Sequence, residues 1–76
     1  MKYVSMDIRE KIGLRIRALR KEAGLSQEGL ALKAGIDRTY INSIENGKRN
    51  ISILNINKIA NALDISLTDL FNSEIF

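Results

Sequence analysis

The chain has 76 residues, 12 Lys plus Arg against 9 Asp plus Glu, a net charge of +3, and neither Cys, His nor Pro. That length holds one domain at most, burying only about 60% of its unfolded surface. Without cysteine or histidine there is no disulfide, no thiolate zinc site and no ordinary general base near neutral pH, so neither an enzyme nor a metal or cofactor protein is expected.

Residues 1–6 are expected to form a flexible N-terminus, and Met6 offers an alternative translation start. The segment Met1-Lys2-Tyr3-Val4-Ser5-Met6-Asp7 has no apolar stretch of the secretory type. The longest apolar runs are three or four residues, far too short to span a bilayer. A soluble cytoplasmic protein without a membrane partner is the expectation. From Asp7 to Ala23, Ile8, Ile12, Ile16, Leu19 and Ala23 recur at steps of three and four, which predicts a first amphipathic helix. Asp7 and Glu10 have capping-box spacing, and Gly24 suits the position just past the end.

Ser26 starts a second helix whose apolar face is Leu30, Ala31 and Ala34, stopped by Gly35. Asp37 caps a third over Arg38 to Asn46, with Ile41 and Ile44 turned inward and Gly47 at its end. Ser52 caps a fourth containing Ile53, Ile56, Ile59, Ala60 and Leu63, and Ser66 a short fifth from Leu67 to Phe71, with Asp69 in its first turn. No segment alternates with the period of a half-buried strand. The expectation is an all-α fold of five helices.

The charge is divided. Residues 1–38 carry nine basic and five acidic side chains, a net +4, whereas residues 39–76 carry three basic and four acidic, a net −1. Beyond Lys58 there is only Asp64, Asp69 and Glu74, so a basic front precedes an apolar, acidic back.

The second and third helices are joined by Ala34-Gly35-Ile36, a turn too short for antiparallel packing. This is the spacing of a helix-turn-helix, which presents its second helix to a major groove about 12 Å wide. The outward positions of that helix are Arg38, Thr39, Asn42, Ser43 and Asn46. A generic solvated face would hold several Glu and Lys; this one has none, only groups that can bond base edges and phosphates.

Leu25-Ser26-Gln27-Glu28-Gly29-Leu30-Ala31, followed by Gly35-Ile36-Asp37-Arg38-Thr39-Tyr40-Ile41 and Ile44-Glu45-Asn46-Gly47-Lys48-Arg49-Asn50, resembles the Cro/C1-type (XRE) helix-turn-helix family. Asp37-Arg38-Thr39-Tyr40-Ile41 and Arg49-Asn50-Ile51-Ser52 are most similar to the small controller proteins of restriction–modification systems, and the similarity spans residues 8 to 71. The resemblance implies a single lambda-repressor-like domain over 1–76, with the helix-turn-helix at 26–46 and dimerisation through helices 4 and 5 at 52–72.

It also implies roles. Arg38 is the leading base reader, with a fork suited to guanine O6 and N7, supported by Thr39, Asn42 and Ser43. Gln27, with Ser26 beside it, is expected at a phosphate and as a brace for the recognition helix. Tyr40 is expected to pack with its hydroxyl near the DNA backbone, and Asn46, Lys48, Arg49 and Asn50 to follow the phosphates. Asn46 departs from the arginine common at this position, which implies an altered operator. Glu45 is matched to Arg20 as a structural ion pair rather than a functional acid.

Helices 4 and 5 hold more apolar residues than one small core needs. Ile53, Ile56, Leu67, Leu70 and Phe71 are the expected dimer interface; Ile75 and Phe76 add to the surplus, and for those two alone simple fraying is the alternative. A two-fold dimer would set its recognition helices about 34 Å apart on a palindromic operator. The resulting expectation is a homodimeric DNA-binding regulator of its own operon, with double-stranded DNA as partner and no small-molecule ligand. Related activators place an acidic residue at the position of Glu28, which makes RNA polymerase a further candidate partner. A solitary phage-type repressor, or an antitoxin-like module that neutralises a toxin, is the alternative; the latter often carries a toxin-wrapping extension that this chain does not show.

Overall fold

Each of the five helices starts behind an Asp or Ser whose side chain accepts a hydrogen bond from a first-turn backbone N–H. In the computed structural model, which describes residues 5–76, these pairs are Asp7 with Arg9 (2.8 Å), Ser26 with Gly29 (2.9 Å), Asp37 with Thr39 (2.7 Å), Ser52 with Asn55 (3.1 Å) and Ser66 with Asp69 (3.0 Å). The caps satisfy donors that a helix start leaves unpaired. They open α1 (Ile8–Glu22), α2 (Gln27–Ala34), α3 (Arg38–Glu45), α4 (Ile53–Ala62) and α5 (Leu67–Phe71), with no strand among the described residues. Most of the expected N-terminal tail, residues 1–4, lies outside the described residues; Ser5 and Met6 form a turn ahead of α1.

The ends of α1 to α4 share one geometry, a left-handed residue just past the helix. After α2, Gly35 takes φ 68°, and the Ile36 N–H closes back onto the Ala31 carbonyl at 3.0 Å, turning the apolar Ile36 into the core. After α4 the same turn is made by Asp64 at φ 57°, with Ile65 N–H on the Ala60 carbonyl at 3.1 Å. A short acidic side chain tolerates the left-handed region better than most, so this stop carries no glycine to announce it.

Ile16, Leu30, Ala31, Ala34, Ile41, Ile44, Ile59, Ala62 and Leu63 form the main core. A second cluster of Ile56, Ala60 and Leu70 lies between α4 and α5. α5 is too short to persist alone. Leu70 anchors it, and Arg15 of α1 donates to the carbonyls of Leu70 (2.7 Å) and Asp69 (2.8 Å), putting a cation on the negative end of the helix.

Three expectations change. Ile56 and Leu70 are not at a surface available to a second copy: both are buried in the chain's own second cluster, Leu70 completely, because α5 folds back over that face of α4. Ile75 is buried rather than frayed. Ile8, read as part of the apolar face of α1, is 56% exposed, at the start of a 15-residue helix whose main partner, α3, has only 8 residues. The apolar side chains left outside on α4 and α5 are Ile53, Leu54, Leu67 and Phe71, the last with its ring 5.3 Å from that of Phe76.

Candidate nucleic-acid interface

α3 is held from beneath and free above. Ile41 and Ile44 are buried in the main core, while Arg38, Thr39, Asn42 and Asn46 are exposed and Ser43 is half-buried at the margin. The steps from 38 to 42 to 46 are each four residues, so Arg38, Asn42 and Asn46 line one ridge. Ser43 stands beside that ridge rather than on it. No acidic side chain within α3 interrupts the exposed face, because its one carboxylate, Glu45, points inward and is 4% exposed.

That buried carboxylate is the centre of a polar cluster. Arg20 of α1 grips it with two parallel hydrogen bonds, Nε to Oε2 at 2.7 Å and Nη2 to Oε1 at 3.0 Å. Nη1 of the same guanidinium reaches the Leu25 carbonyl at 2.8 Å. Hydrogen bonding to Glu45 holds the Arg20 proton more firmly than in an ordinary arginine, outweighing the opposing effect of burial. The fork geometry fixes orientation as well as distance, so α1 and α3 are set at a defined angle. Among the described residues, every buried side-chain nitrogen and oxygen has a partner.

Gln27 connects this cluster to the surface. Its Nε2 donates to Glu45 Oε1 at 3.1 Å, its Oε1 accepts from Asn42 Nδ2 at 3.1 Å, and Asn42 Oδ1 accepts from Asn46 Nδ2 at 3.2 Å. Gln27 therefore ties the start of α2 to the middle of α3 and keeps one N–H to spare. The Ser26 hydroxyl is engaged as the cap of α2, but its residue remains exposed.

Tyr40 is half-buried and packs on the main core, with the Arg49 guanidinium 4.9 Å from its ring centroid. This cation–π contact anchors the exposed turn Lys48-Arg49-Asn50 to α3. The surface that α2, α3 and this turn share thus offers the guanidiniums of Arg38 and Arg49, the amides of Asn42, Asn46 and Asn50, the Thr39 hydroxyl and Lys48. The apolar residues Ile53, Leu54, Leu67 and Phe71 lie apart on α4 and α5. No group of three or more His, Cys, Asp or Glu is placed to hold a metal ion among the described residues, and no described helix is long and apolar enough to cross a membrane.

Arg15 and Gly13 escape a reading by pattern, since both act through contacts with distant segments, Arg15 with the end of α5 and Gly13 with the main chain of Ile44 and Glu45. The chain from Gln27 through Asn42 to Asn46 had a signal, the four-residue spacing of the two asparagines, but its connection to Glu45 is tertiary.

A family profile described as helix-turn-helix matches residues 16–70. Control protein C.MunI from a Mycoplasma species is 49% identical over 67 residues, covering 87% of this chain and 90% of its own. The crystal structure of the restriction–modification controller protein C.AhdI from Aeromonas hydrophila superposes with a TM-score of 0.81 at 50% identity, covering 84% of this chain and 97% of that one. The controller protein C.Esp1396I, crystallised as a tetramer with its natural 35 base-pair operator, superposes with a TM-score of 0.82 at 36% identity over 88% of each chain.

Proposed function

The chain belongs to the helix-turn-helix family, in the company of restriction–modification controller proteins, and on that footing we propose that it is a homodimeric, sequence-specific regulator of its own operon. The carrying observation is the exposed face of α3, a ridge of Arg38, Asn42 and Asn46 with Thr39 beside it, mounted on a fully satisfied ionic cluster. Arg38, Thr39 and Asn42 read base edges, with Ser43 at the margin. Ser26, Gln27, Tyr40, Lys48, Arg49 and Asn50 serve the phosphates. Ile53, Leu54, Leu67 and Phe71 join two copies, so that the two α3 helices meet successive major grooves about 34 Å apart on a palindromic site.

The divided charge supports the same arrangement: the basic half faces the polyanion, and the acidic α4–α5 end lies away from it. Glu28, exposed at the first turn of α2, is the residue of this surface best placed to touch RNA polymerase. The reading assigns no catalytic step and places the protein in the cytoplasm with its operator.

The test is a mobility-shift titration against the DNA upstream of the protein's own gene, in parallel with scrambled DNA of equal length and at several salt concentrations. Tight binding to the upstream region only, weakening linearly with log salt, is expected. Equal binding to both duplexes would remove the regulator reading.

A further inference from the structure

The hydrogen bonds from Asn46 through Asn42 and Gln27 all point one way, toward Glu45, onto which Arg20 donates from the other side. A guanidinium can only donate and an ionised carboxylate can only accept. Glu45, already gripped by Arg20, therefore receives a donor from Gln27, which must present Nε2 inward and Oε1 outward. That oxygen can only accept, so Asn42 must present Nδ2 to it. Asn42 Oδ1 is then left facing Asn46, which donates through its own Nδ2. The distances are 3.1, 3.1 and 3.2 Å in order from the carboxylate. The buried ion pair thus dictates the amide orientation of an exposed residue on the outward ridge.

An asparagine amide has two N–H donors and two lone pairs. At Asn42 one donor goes to Gln27 and one lone pair takes the bond from Asn46, leaving one donor and one lone pair for a ligand. Adenine presents the matching pair in the major groove, the N7 acceptor and the N6 donor, whereas guanine presents two acceptors. We infer that Asn46 and Gln27 are positioning residues that lock the Asn42 amide in one orientation and make it a reader of adenine. The inference rests on the regulator reading for its ligand, but not for the relay itself. Asn46 then serves through Asn42 rather than as a phosphate contact of its own. A freely flipping amide could meet a lone donor or a lone acceptor on any base, so the lock is what converts a hydrogen-bonding group into a discriminating one.

Two measurements test this and fail separately. The first needs no DNA: in the 15N-labelled free protein, the side-chain NH2 of Asn42 is expected to exchange slowly with water, and faster in Asn46→Ala. Exchange at the rate of an exposed asparagine in the native protein would overturn the relay, whatever the DNA result. The second is selection from randomised duplexes, followed by Kd ratios for single-base replacements. Asn42→Ala is expected to lose the preference for adenine at one base pair, and Asn46→Ala to reduce the same ratio by a factor of about 5 or more. Asn46→Ala should keep its melting temperature and salt slope, Asn46→Gln should retain the preference, and the double variant should be no more relaxed than Asn42→Ala alone.

A uniform loss of affinity with a salt slope reduced by about one would make Asn46 a phosphate contact and overturn the positioning role. Additive losses would do the same. Failure of the native protein to select any sequence would remove the regulator reading and the adenine assignment together, while the exchange measurement still reported on the relay.

Discussion

Gly13 of α1 packs against the main chain of Ile44 in α3: a Cβ at position 13 would collide with the Ile44 carbonyl oxygen and lie 2.9 Å from that of Glu45. The missing side chain lets the two helix backbones touch, and this contact sets the depth at which α3 sits. Gly13→Ala improves helix propensity by about 1 kcal/mol, yet the obstacle is backbone and cannot swing aside. The expected outcome is a net loss of about 1–3 kcal/mol, seen as a fall in Tm of roughly 4–8 °C per kcal/mol. A Tm at or above the native value would show that α1 and α3 can part without cost.

Glu45→Ala is expected to be more damaging. It strands the Arg20 guanidinium, 8% exposed in the fold, and removes the acceptor of Gln27 Nε2. Breaking one side of a buried pair costs about 3–5 kcal/mol, whereas replacing both sides with apolar groups can be close to neutral. Thermal unfolding of Glu45→Ala beside the double variant Arg20→Met, Glu45→Leu should therefore show a large loss and a substantial recovery. Equal losses in both would place the cost in packing and not in the stranded charge.

These two contacts mark where sequence pattern stops being informative. The Asp and Ser caps are legible because the capping oxygen lies within three residues of the N–H that it serves. Gly24, Gly35 and Gly47 announce turns, while Asp64 makes the same turn unannounced. Periodicity identifies two apolar faces on α4 but not which one its own α5 will cover, so Ile56 and Leu70 look like interface residues and prove to be core. Gly13 and Arg15 have no local signature, since each acts on a segment more than 25 residues away in the chain. At the candidate site, the exposed positions of α3 follow from its period, but the direction of the Gln27–Asn42–Asn46 chain requires knowing that Glu45 is buried beside Arg20.

The cap of α1 gives a pH dependence. The Arg9 side chain, bonded to Asp7 Oδ1 at 2.9 Å, holds the Asp7 carboxyl below the usual carboxylate range, with help from the Arg9 backbone N–H. A depressed folded-state pKa means stability that is fully present above the unfolded-state pKa and lost as pH falls through the folded-state value. Asp7→Asn keeps a capping oxygen but cannot titrate. The Tm difference between the native protein and this variant should be constant near neutrality and shrink in the acid range; a difference that grew with acid would reverse the sign.

Self-association should depend on the apolar residues left exposed and not on those already buried. Leu54 is 72% and Ile53 66% exposed, so Ile53→Asp with Leu54→Asp removes apolar surface from an interface without opening the core. Sedimentation should show a monomer with native helix content. Leu70→Ala instead empties a fully buried site and should cost about 2–5 kcal/mol in the monomer itself. A double aspartate variant that stayed dimeric would move the interface elsewhere.

Arg38 and Lys48 should separate base reading from phosphate binding. Both are exposed, but Arg38 opens the outward ridge of α3, whereas Lys48 lies in the turn beyond it. A guanidinium forked onto guanine O6 and N7 discriminates by about 1–3 kcal/mol against other bases. A lysine at a phosphate contributes to every sequence alike and releases about one counterion. Arg38→Ala is therefore expected to flatten the preference at one G·C pair, changing the rank order among single-base operator replacements. Lys48→Ala should preserve that order while weakening all duplexes together and lowering the slope of log K against log salt by about one. If Arg38→Ala instead left the rank order intact and lowered the salt slope, its guanidinium would belong with the phosphate contacts, and direct readout would fall to Thr39 and Asn42.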